Sequence, residues 1–100
     1  MENTHSGTAT LALPPILDLT AAAAVLENFL TRRGKPLSVN AAEVQRLGGQ
    51  CLQVLLCARA AWAADEQELR LDSCSEEFLA ALDLLGVPPK ILTYCKEIPS

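Results

Sequence analysis

Aromatic side chains are scarce in this chain: two Phe, one Trp and one Tyr among 100 residues. So few rings give no platform for stacking bases. Positive charge is also thin. Eight Lys and Arg face twelve Asp and Glu, a net charge of −4, and no basic cluster stands ready to neutralise phosphates. Nucleic acid is therefore excluded as a partner class, and binding to an anionic membrane is disfavoured on the same ground. No apolar run reaches membrane-spanning length, because Arg32, Arg33 and Lys35 interrupt the pattern; direct membrane insertion is not expected. The opening MENTHSGTAT has no basic region ahead of an apolar stretch, so no secretory signal is expected and the cytoplasm is the expected location. Histidine occurs once, at His5 in that polar stretch, and Cys51, Cys57, Cys74 and Cys95 form no C-x-x-C pair. Neither the ligands nor the spacing of a zinc site is present, and no metal or cofactor is expected. In a reducing compartment the cysteines are expected as free thiols that act as small hydrophobes.

What is present is apolar. Half of the residues are hydrophobic, enough for one modest core, and 100 residues make one small domain. Residues 1–7 are small and polar and read as a flexible tail; residues 8–100 read as the domain. Thr8 to Leu13 alternates Thr, Ala and Leu as a strand does. Pro14-Pro15 breaks it, and Ile16 to Leu19 resumes in extended form. Thr20 is a suitable N-cap for a helix over Ala21 to Arg33, with Ala22, Val25, Leu26, Phe29 and Leu30 on one face. Arg32 and Arg33 suit its negative end, and Gly34 stops it. Leu37 to Val39 is a short strand, and a helix from about Gly49 to Ala64 follows. Glu68 to Asp72 alternates, placing Leu69 and Leu71 inward. Ser75 caps a helix over Glu76 to Leu85, with acids in its first turn, and Gly86 closes it. Pro88-Pro89 and a short apolar tail with Ile91, Leu92 and Tyr94 complete the chain. The order ββαβαβα predicts an α/β fold with a mainly parallel sheet of four to five strands and helices largely on one face.

One stretch says more, Leu37 to Leu56, LSVNAAEVQRLGGQCLQVLL. It reads as a strand, a crossing segment, a Gly-Gly turn and an apolar helix. This layout resembles the STAS domain, the module of bacterial anti-sigma-factor antagonists and sulphate-transporter tails. The family pattern is a strand ending in Asp and, eight residues on, an Asp-Ser-Ser/Ala-Gly-Leu run that opens a helix. Here Asn40 stands at the strand end. Gly48, Gly49, Gln50, Cys51 and Leu52 follow at the expected interval, with Val44 and Leu47 on the apolar positions between. The resemblance runs from Leu11 to Val87, through Leu17-Asp18-Leu19-Thr20 and the closing FLAALDLLGV. Where many relatives place a phosphorylatable Ser or Thr, this chain has Gly49. The resemblance implies a STAS-like fold and a non-enzymatic interaction module whose usual partner is a histidine-kinase-like ATPase. Its length, its missing switch serine and its Gln-Cys-Leu-Gln-Val-Leu-Leu helix start most resemble the small STAS proteins that act with chemotaxis kinases. An anti-sigma-factor antagonist comes second, and a cytoplasmic STAS subunit of a lipid or anion transporter third.

Candidate functional residues each have a plainer role beside them. Gly48 and Gly49 form either a tight turn needing no side chain or a set of backbone N–H donors open to a partner. Cys51 either fills the core or, near a helix start, acts as a low-pKa thiol; the rival function is thus a thiol redox enzyme using Cys51. At 100° per residue, Gln50, Gln53, Cys57, Ala60, Ala61 and Ala64 share an outer face, with Leu52, Leu55 and Leu56 opposite. That face is nearly uncharged and built from small side chains, which suits close approach of a partner helix; it also suits a bland alanine-rich surface. Arg59 falls on the core side and must reach an edge. Trp62 is expected in the core. The partner-binding set is Gly48, Gly49, Gln50, Gln53, Cys57 and Ala60. No catalytic residue is assigned, because no cleft is implied for the carboxylates of Glu66, Glu68, Glu76 and Glu77.

Overall fold

The alternation of short strands and helices builds an α/β fold around a parallel sheet, seen in a computed structural model that describes residues 9–95. The tail expected over residues 1–7 lies outside the described residues. Strand β1 (Ala9–Ala12) is followed by the two-residue β2 (Ile16–Leu17), helix α1 (Ala22–Leu30) and β3 (Leu37–Ala41). Then come β4 (Arg46–Leu47), α2 (Gly49–Ala64), β5 (Leu69–Cys74) and α3 (Glu76–Leu84). A short 3-10 helix, Pro89–Leu92, follows α3.

β3 sits between β1 and β5, and both pairings are parallel. The β3–β5 register slips by one residue after Val39, where Asn40 pairs with Ser73 and Asp72 is the extra residue. The five strands do not make one continuous sheet. β2 and β4 form a separate parallel ladder of two pairs, Ile16 with Arg46 and Leu17 with Leu47. The Pro14-Pro15 step explains the split. Neither proline has an N–H to give a ladder, and the Pro15 carbonyl instead accepts from Gln45 and Arg46 N–H at 2.7 and 3.1 Å. β4 is the one strand that the expected order ββαβαβα lacks, since two residues are too few to show a period.

Several local details follow from residue chemistry. Helix α2 spans the expected range, and β5 runs two residues past it. The cap of the first helix belongs to Asp18, not Thr20. A 3-10 turn over Leu19–Ala21 precedes α1, and Asp18 accepts from the N–H groups of Thr20 and Ala21. α1 ends at Leu30. Arg32 donates to the Asn28 carbonyl of its last turn at 2.9 Å, as a cation near a helix C-terminus should, and through Nε to Thr10 O of β1 at 3.1 Å. Gly34 then takes a φ of 96° and Gly86, after α3, a φ of 77°, both in the left-handed region where glycine alone is unstrained. Ser75 caps α3 by accepting from Phe78 N–H, and its hydroxyl donates to the Val44 carbonyl, tying α3 to the segment before β4.

The core is apolar throughout, with no buried polar or charged residue among those described. Leu11, Leu37, Val39 and Leu69 supply it from the strands, Val25 and Phe29 from α1, and Leu52, Leu55 and Trp62 from α2. Phe78 and Leu82 add α3. Trp62, the largest fully buried side chain, meets Phe29 edge-on with ring centroids 6.0 Å apart. Its indole N–H donates to the Lys35 carbonyl at 2.7 Å, satisfying the one polar atom that burial would otherwise strand. Arg33 and Asp65 pair at 2.8 Å just beyond the ends of α1 and α2.

Replacing Trp62 by Ala removes this ring and leaves a cavity. The expected loss is about 3–5 kcal/mol, read from urea unfolding followed by far-ultraviolet circular dichroism. A loss below about 1.5 kcal/mol, the range of tolerated swaps, would place Trp62 outside the core.

Candidate functional site

The site assembles where the segment after β2 presses on the start of α2. Gly48 is the N-cap of α2, in extended conformation, and offers no side-chain acceptor to the first turn. Its own N–H donates to Leu17 O at 2.8 Å, so that donor is already used within the fold. Its carbonyl accepts from Leu52 N–H at 3.1 Å. Across the same seam Cys51 Sγ donates to Asp18 O at 3.3 Å. The Asp18 carboxylate accepts from Thr20 Oγ1 at 2.7 Å and from two backbone N–H groups. The Thr20 hydroxyl first, and those N–H groups with it, hold the Asp18 carboxyl below its ordinary value against a smaller opposing effect of desolvation. Asn40, at the end of β3, turns its Oδ1 back to Ala42 N–H at 2.8 Å, a local turn that starts the crossing segment. Val44 and Leu47 of that segment are buried as their register requires.

The two glycines differ. A Cβ on Gly48 would lie 3.4 Å from Leu17 O, close to the backbone of the neighbouring ladder. A Cβ on Gly49 would meet nothing within 4 Å, and Gly49 is helical without positive φ. Folding therefore gives no reason for glycine at 49; a serine or alanine fits there. The missing hydroxyl is a property of the sequence and is not imposed by crowding.

The outer face of α2 is as its spacing predicts. Gln50, Gln53, Cys57 and Ala60 are all exposed, with Ala64 continuing the row and Ala61 half-buried. Leu52 and Leu55 are buried on the opposite side, and Leu56 is half-buried. The geometry thus joins the turn and the uncharged face into one continuous strip along α2. Arg59 does not belong to it. Its Nε donates to Thr93 O at 3.2 Å and its guanidinium lies 5.6 Å from the centre of the Tyr94 ring, so it clamps the segment after α3. Sequence spacing alone did not reveal that partner, which is 34 residues away.

Cys51 is fully buried. Burial first, and then the nearby Asp18 charge, push its thiol above the ordinary value, opposite to what a helix N-terminus does to an exposed thiol. Cys74 is raised by burial as well. Among the described residues no group of three His, Cys, Asp or Glu is placed to hold a metal, and no helix is long and apolar enough to cross a membrane.

A strand, a crossing segment, an uncapped glycine turn and an apolar helix are thus arranged in space as the spacing from Asn40 to Gly48 suggested. A model of the family described as "Mlab, STAS domain" matches residues 1–92. The chain belongs to the STAS domain family. Comparison with curated proteins and with solved structures gave no match. Membership makes this STAS chain an interaction module of the general anti-sigma-antagonist type. Within that frame the strip from Gly48 to Ala60 is its candidate docking surface.

Two outcomes test this geometry. Gly49→Ala should raise stability by about 0.4–1 kcal/mol, because the unfolded chain loses freedom and the folded one gains no strain, whereas Gly34→Ala at φ 96° should lower it by more than that. Thermal unfolding of the two variants checks the contrast. Alkylation of the native STAS protein at neutral pH should modify the exposed Cys57 while Cys51 stays protected until the chain is unfolded. Peptide mapping showing Cys51 modified faster than Cys57 would instead favour the thiol-enzyme reading.

Proposed function

We propose that this STAS domain is a non-enzymatic cytoplasmic adaptor that docks on a histidine-kinase-like ATPase of the chemotaxis type, without a phosphorylation switch at its docking turn. The observation that carries the reading is Gly49. The position is open, compatible with a side chain, and empty of the hydroxyl that a kinase would need. Beside it lies a helix face of small uncharged residues that a partner helix can approach closely. A domain of this kind binds constitutively. Its action is set by its concentration or by changes in its partner.

Recovery from native cytosol with mass-spectrometric identification names the partner: a chemotaxis kinase supports the proposal, whereas an anti-sigma kinase or a transporter ATPase would move the protein to one of the other STAS roles. Incubation with that partner and ATP should leave the intact mass unchanged; a stoichiometric phosphoprotein that controls binding would defeat the switchless reading.

Gln53→Arg and Ala60→Arg locate the interface. Each buries a charge without a partner if the contact is tight, a penalty of several kcal/mol in binding, while at an exposed site folding stability changes by no more than about half a kcal/mol. The expected result is lost affinity at unchanged thermal stability. Stable variants that bind as the wild type does would put the interface elsewhere.

A further inference from the structure

The end of α3 carries a feature that the docking strip does not use. Leu79 and Asp83 of α3, with Gly86, Val87, Pro88 and Pro89 after it, line a groove of about 510 Å3. Its walls are mainly aliphatic. Leu79 is 41 % exposed, and Leu84, next to Asp83 in the chain, is 89 % exposed. Gly86 in the left-handed conformation turns the chain back, and the two prolines stiffen the far wall.

Along α3 the charge has one sign, and Lys90, directly after Pro89 on the far wall, is the cation beside the groove. Glu76, Leu79 and Asp83 fall at i, i+3 and i+7, so two exposed carboxylates flank an exposed leucine on one stripe of α3. The helix has no basic residue, and among the described residues no ion pair engages Glu76 or Asp83. Asp83 lines the groove and Glu76 lies one turn before Leu79 outside it, so the α3 side has a definite complement: an aliphatic anchor with a basic residue about one turn before and one turn after it.

We propose that the α3 groove is a second docking site, which takes a basic amphipathic helical segment of a partner protein, the aliphatic anchor entering beside Leu79 and the basic residues meeting Glu76 and Asp83. The chain would then engage two protein segments at once, one on α2 and one on α3.

The test uses the full chain and a fluorescein-labelled amphipathic peptide of leucine and arginine, long enough at about 15 residues to be helical when bound. Fluorescence polarisation should show saturable binding. A peptide with glutamate in place of arginine, and one with the same composition scrambled, should not bind. Asp83→Lys and Leu79→Ser should each weaken binding by about tenfold or more, a change of about 1.4 kcal/mol, whereas Gln53→Arg should leave it unchanged. Amide shifts on titration should cluster at Leu79, Asp83, Gly86 and Val87. The melting temperature of each variant shows that it is folded; if Leu79→Ser is not, Asp83→Lys alone decides. The proposal is overturned by absence of saturable binding up to about 1 mM, by equal binding of the control peptides, or by shifts centred on Gln53 and Cys57. Groove shifts that grow with concentration of the chain alone, together with a doubled mass in light scattering, would make the occupant a second copy and overturn it too.

Discussion

The contact on which the rest depends is the one between Trp62 and Phe29. A chain with four aromatic residues has placed two of them in a T-shaped contact where α1 meets α2. The indole N–H reaches past that contact to the Lys35 carbonyl, just ahead of β3. One side chain therefore fixes the spacing of two helices and the entry of the central strand. At the opposite end of the pair, the Leu17 and Asp18 carbonyls hold Gly48 N–H and Cys51 Sγ. With Arg33 and Asp65 joined beyond the far ends, α1 and α2 are tied at both ends and run side by side. The glycine turn is held in place by this frame, to which it gives the Gly48 N–H bond.

Much of this was legible in the residues. The long periodic segments were the clearest. α2 carries Leu52, Leu55 and Trp62 on one side and small residues on the other, so both its span and its inner face follow from spacing. Ser75 and the acids after it marked α3, and Gly86 marked its end; α1 instead stops at Leu30, three residues short of the expected Arg33, and Gly34 follows in the turn beyond it. What stayed hidden was either too short or too distant. β4 has two residues, too few for a period to show. Asp18 took the cap from Thr20 because a 3-10 turn over Leu19–Ala21 precedes α1 and shifts the helix start. Leu26 and Leu30 share the apolar spacing of α1, yet they are 40 % and 54 % exposed, since only the side toward Val25 and Phe29 finds the core.

The site was legible in a similar way. Its register followed from Asn40 to Gly48, and its face from helical angles. The partners of Arg59 and Cys51 were not, because they lie 34 and 33 residues away and depend on how the segments cross. Burial also reversed an electrostatic expectation. A helix start favours a thiolate, but at Cys51 the loss of water outweighs the dipole and the thiol is pushed up.

The edges of the central sheet carry a consequence of their own. A strand edge with open N–H and C=O groups invites another strand, and with it aggregation. Here β1 is four residues long and Arg32 occupies its Thr10 carbonyl. β5 exchanges both hydrogen bonds of Leu69 with Tyr94, carries Arg70 and Asp72, and is bent by a bulge. Neither edge offers a straight, unoccupied ladder to a newcomer. Recognition by strand addition is thereby discouraged, and this small sheet stays a private scaffold while the helices are left to meet other molecules.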